Sequence, residues 1–100
     1  MIIGICDSND SNFAVEVDKN VNIELVKSLM VEGLDSWYAS AHDDIDPTEH
    51  FSVDDIEGFY DLGYSEPTQF LLKRYGINYK ILDLLTDDDD NYICDELIRN

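Results

Sequence analysis

One hundred residues, 44% of them apolar and 11% aromatic, suffice for one globular domain with a single core and are too few for two. Twenty-three acidic residues against six basic ones give a net charge of −17, which excludes nucleic-acid binding through basic patches and opposes docking on anionic membrane. The partners that such a surface selects are cations and basic proteins.

Ile2, Ile3 and Ile5 read as a first strand, closed by the turn formers Asp7 to Asn12. Phe13, Val15 and Val17 alternate with Ala14, Glu16 and Asp18, the period-two pattern of a second, half-buried strand. Together they predict an N-terminal β-hairpin with a long loop. Asp7, Asn9 and Ser11 echo a calcium loop, but Asn12 stands where its glycine belongs and Asp18 where its glutamate belongs, so an ordinary turn is expected. The apolar start at Met1 lacks the basic flank and length of a signal peptide.

Asn20 or Asn22 caps a following helix, in which Ile23, Val26, Met30, Gly33, Leu34, Trp37 and Ala41 share one arc and Leu25 and Leu29 widen it. Glu24, Glu32 and Asp35 fall on the other side. Gly33 has two readings: a close-packing point inside one helix, or the end of that helix with Asp35 capping another.

From Ser28 to Leu72 the chain carries eleven carboxylates and no lysine or arginine. Aromatic residues run through this tract, so its charge lies over a folded body rather than a solvated tail. Asp46-Pro-Thr-Glu49 signals a helical turn, and Ser52 opens a helix to about Leu62, stopped by Gly63. On that helix Val53, Ile56, Phe59 and Tyr60 cover one arc, and Asp54, Glu57 and Asp61 lie within about 60° on the opposite side. An ordinary outer face alternates acids with bases; this one has no such pair. Carboxylates three or four residues apart stand ~5–6 Å from one another at Cβ, a pitch comparable with phosphates along a DNA strand, spaced ~3.4 Å in axial rise and further through space. His42 and His50 flank Asp43, Asp44, Asp46 and Glu49, but the spacing matches no helical ligand pair, and they read as surface histidines.

Ser65 or Glu66, with Pro67 just inside, opens a further helix that ends at Lys73-Arg-Tyr-Gly76, where two cations meet the negative helix end. Asn78 to Leu85 and Tyr92 to Ile98 then read as two strands of a C-terminal hairpin around the turn Thr86 to Asn91. A helix capped by Asp90 competes with the second of these strands. Cys6 and Cys94, the two cysteines, read as reduced, small apolar residues of a cytoplasmic protein. A bridge between them requires the terminal strands to be neighbours.

The expected fold is one α+β domain: an antiparallel sheet from N-terminal and C-terminal β-hairpins, with a central helical segment of two to four helices covering one face. No glycine-rich phosphate loop or nucleophile elbow occurs in the sequence, no cofactor is implied, and twenty-three carboxylates single out no acid–base pair, so a non-enzymatic role is expected. In size and acidity the chain is similar to phage-encoded DNA mimics that block restriction enzymes, CRISPR effectors or DNA-repair enzymes. That resemblance implies an inhibitor that fills the nucleic-acid groove of a basic protein, as a monomer or homodimer, in the host cytoplasm if phage-encoded. The expected contact face is Asp43, Asp44, Asp46, Glu49, Asp54, Glu57 and Asp61, with Asp87, Asp88, Asp89 and Asp90 as a second patch. The alternative is an antitoxin or immunity protein binding a basic toxin through Trp37 or Tyr64.

Overall fold

The apolar alternation of the N-terminal residues produces the expected hairpin. Strand β1 (Ile2–Cys6) pairs antiparallel with β2 (Phe13–Val17), placing Ile3 opposite Val15 and Ile5 opposite Phe13. The structure is a computed structural model that describes residues 1–8, 11–42 and 63–100. Among these, two helices follow the hairpin, α1 (Ile23–His42) and α2 (Glu66–Arg74), and then β3 (Tyr79–Leu82) and β4 (Glu96–Arg99). The helices expected at 46–62 lie outside the described residues.

Asn22 starts α1 as expected: its side-chain oxygen accepts the Leu25 N–H at 3.2 Å. Gly33 does not end the helix, which runs unbroken to residue 42. It is the point where α2 crosses α1. Thr68 lies against it, buried, with its hydroxyl donating to the Met30 carbonyl at 3.3 Å. The α2 helix stops as a Schellman motif: Gly76, at φ 71°, donates to the Lys73 carbonyl, and Ile77 donates to that of Leu72.

Ile3, Ile5, Phe13, Val15 and Val17 point from the sheet into a core completed by Val26, Leu29, Met30 and Leu34 of α1 and Leu71 and Leu72 of α2. Each such side chain contributes roughly 1.5–3 kcal/mol by leaving water. Both helices therefore cover one face of the sheet.

The C-terminal half departs from the expected hairpin. β3 pairs antiparallel with β2, β4 pairs parallel with β1, and the sheet order is β3-β2-β1-β4. The two late strands thus lie at opposite edges and run parallel to each other. A free two-stranded hairpin is marginal in water, whereas this arrangement covers both open edges of the apolar N-terminal pair. It also sets Lys80 opposite Glu16 across the ladder. The segment that expectation assigned to longer strands instead crosses the face of the sheet away from the helices. Leu84 and Cys94 seat on Gly4, where even a Cβ would come within 2.7 Å of the Leu84 methyl and 3.3 Å of the Cys94 sulfur. Asp95 fastens the end of the crossing, accepting the Ile2 N–H at 2.7 Å and donating its own N–H to the Ile2 carbonyl at 2.8 Å.

Asn9, the middle residue of the calcium-like pattern, lies outside the described residues, and the described ends of this loop are tied together by their own polar groups. Asp7 accepts the Ser11 N–H on one oxygen and the Tyr38 hydroxyl on the other, and the Asn12 side chain accepts the Asp7 N–H. Tyr38 thereby ties the hairpin loop to α1. Replacing Tyr38 with phenylalanine is expected to lower stability by about 2 kcal/mol, the scale of a hydrogen bond to a charged group, and the urea midpoint measures it.

Candidate acidic interface

The crossing segment builds the one acidic patch expected from sequence that falls among the described residues. Thr86 and Tyr92 bridge antiparallel, and the Ile93 N–H donates to the Leu85 carbonyl at 2.8 Å, so residues 85–93 form a short ribbon. Asp87 organises its tip. Its Oδ1 accepts the N–H groups of Asp89 at 2.9 Å and Asn91 at 3.0 Å, while its own N–H donates to the Asn91 carbonyl. Asp90 takes the left-handed conformation at φ 62°, which aspartate tolerates better than most residues. Asp87, Asp88, Asp89 and Asp90 are all exposed. The roles within the patch divide: Asp87 spends an oxygen on the turn, and Asp88 to Asp90 stand outward. Leu85 at 61% and Ile93 at 54% exposure lie at the base of the ribbon, an apolar pair beside the charge.

Asp43, Asp44, Asp46, Glu49, Asp54, Glu57 and Asp61 lie outside the described residues. Among the described residues, the exposed acids outside the expected face are Glu16, Asp18, Glu24, Glu32, Asp35, Asp83 and Asp95. Lys27 bridges two carboxylates, Glu24 at 3.8 Å and Glu96 at 3.7 Å. Six bases cannot neutralise twenty-three acids, so most of the negative charge has no basic side chain of its own within this chain.

Trp37 and Tyr64, the aromatics considered for an aromatic-centred interface, are both half-buried and packed on each other. Their rings meet edge-on at 6.0 Å, Tyr64 stacks obliquely on Phe13, and its hydroxyl donates to the Asn12 carbonyl at 3.0 Å. Cys6 and Cys94 are free thiols on the face away from the helices. Burial pushes the Cys94 thiol up, against a smaller lowering by the Gly4 backbone, and a thiol kept protonated is a poor nucleophile. Among the described residues no three His, Cys, Asp or Glu side chains gather as a metal-binding group, and no helix is long and apolar enough to cross a membrane.

One feature escaped sequence reasoning. Glu32 and Asp35, on the outer flank of α1, line a groove shared with Leu97 and Ile98 of β4. The pairing of β4 with β1 creates this groove, and no local pattern reports it. No family model matches the chain, and no curated protein or solved structure matches it either.

Proposed function

We propose that the domain is a polyanionic decoy, which occupies the nucleic-acid groove of a basic protein in the cytoplasm of its host. The observation that carries this reading is an acid excess of −17 laid over a packed α+β domain, with one rigid ribbon presenting Asp88, Asp89 and Asp90 to solvent. The backbone that carries these carboxylates is already ordered by the turn hydrogen bonds, which lowers the cost of setting them where phosphates would lie. Leu85 and Ile93 beside the tip add apolar contact that a plain polyanion lacks. Packing of Trp37 and Tyr64 against each other leaves them less to offer an aromatic-centred toxin interface.

The test is capture of partners from lysate at low salt, followed by challenge with duplex DNA. DNA should displace the partner, because both fill one groove. A partner that holds DNA and this protein together would sink the decoy reading. Charge reversal then locates the face. Asp88→Lys with Asp89→Lys, and separately Asp54→Lys, Glu57→Lys and Asp61→Lys, should each weaken binding far more than Asp18→Lys with Glu24→Lys, since like charges meet across the interface. Equal losses in all three would mean a diffuse polyanion with no defined face.

A further inference from the structure

The outer edge of β4 is a place where this fold is unfinished. β4 ends the sheet, and among the described residues no strand pairs with its outer side. Leu97 and Ile98 are successive residues, so their side chains leave opposite faces of the sheet. Both nevertheless line one groove, together with Lys27, Val31, Glu32 and Asp35 of α1, as expected of a groove that runs along the strand's open edge. Its volume is about 660 Å³. A fifth strand would lie here, ~4.8 Å beyond β4 and beneath the flank of α1. Its backbone would meet the unpaired N–H and C=O groups of the edge, and its helix-facing side chains would meet Val31 and Ile98.

Charge decides what fills that place. Glu32 and Asp35 line the groove, and Lys27, which lines it too, bridges Glu24 and Glu96, so acids outnumber bases on this flank. A second copy of this chain would bring another −17 to the same edge. We propose that the α1–β4 groove docks an extended, cationic segment of a partner protein by strand addition to β4, with arginine or lysine beside Glu32 and Asp35 and a branched apolar side chain under Val31. This assignment is independent of the decoy reading, since it uses neither the ribbon tip nor residues 43–61.

The probe is a capped peptide, Arg-Thr-Val-Thr-Arg-Thr-Val-Thr-Arg, which as a strand turns arginine and valine to one face. Titrated into the full chain, it should shift the backbone amide signals of Glu96 to Arg99. The same peptide with glutamate for arginine should not bind. N-methylation of alternate backbone nitrogens along its pairing edge should weaken it on the order of tenfold or more, because strand addition depends on those donors. Asp35→Arg, at an exposed position of α1 that lines the groove, should weaken it to a similar extent and leave the melting temperature close to that of the unmodified protein. The proposal is overturned if the peptide fails to bind, if it shifts only Asp87 to Asp90, or if the N-methylated form binds equally well. Concentration-dependent dimers that protect the β4 amides would overturn it too, by naming a second copy as the occupant.

Discussion

Replacing Gly33 by alanine is expected to destabilise the domain by about 3 kcal/mol, at the upper end of overpacking effects. The sign is opposite to that in an exposed helix, where the same change stabilises by about 1 kcal/mol. At Gly33 a Cβ would stand 2.2 Å from the Thr68 hydroxyl, 2.6 Å from the Thr68 nitrogen and 2.7 Å from its Cα. Two of those three atoms are backbone, so no rotamer change at Thr68 clears the space, and α2 must move off α1. Moving it loosens Leu71 and Leu72, which are buried in the core. Urea denaturation of Gly33→Ala measures the loss. Combining it with Thr68→Gly should fail to restore stability, because the backbone clash persists. Full restoration would show that the hydroxyl alone set the distance between the helices.

Salt should move stability and partner binding in opposite directions. At ~0.01 M the screening length is ~30 Å and like charges repel across the whole domain; at ~0.15 M it is ~8 Å and only near neighbours still interact. With six bases among twenty-three acids, screening removes more repulsion than attraction, so the urea midpoint should rise over this range. Binding to a basic groove should fall over the same range, since the attraction between partners is screened as well. DNA held by six to ten phosphate contacts loses ~10³–10⁵ in affinity between ~50 and ~200 mM salt, much of it from released counterions. A folded protein carries charge less densely and condenses fewer ions, so a loss of about 10²-fold is expected here. Isothermal titration of the captured partner at those two concentrations checks it. An affinity that holds while the fold gains stability would place the binding energy in apolar contacts and remove the decoy reading.

Where structure depends on neighbours in sequence, residue types announced it. Phe13, Val15 and Val17 specify a strand by alternation, Asn22 marks a helix start, and Gly76 marks a stop. Where structure depends on which distant segment pairs with which, the same residues were silent. Tyr79 to Leu82 alternate equally well in a hairpin with the last strand or against β2. Two signals did point to the observed arrangement. Glu16 and Lys80 are complementary in charge, as opposed positions on adjacent strands often are. Gly4 interrupts a run of isoleucines, and a glycine inside a strand marks a place where something approaches closely, here Leu84 and Cys94. Of the candidate site, the turn at Asp87 to Asp90 was legible because a run of turn formers is local. The groove between α1 and β4 was not, because it exists only once the final strand has found the first.

That last pairing bears on how the chain comes to be folded. β1 is made before β4, so a growing chain holds an unsatisfied β1 edge until β4 has emerged. Contacts between segments so far apart in sequence also slow folding, since closing a long loop precedes any gain from it. During that interval Ile2 to Ile5 form a short, β-prone, uncharged segment of the sort that joins other chains. The acids that follow in the same nascent chain repel neighbouring copies on the polysome. Neutralising them wholesale should lower soluble yield before it changes the melting temperature of the protein that does fold.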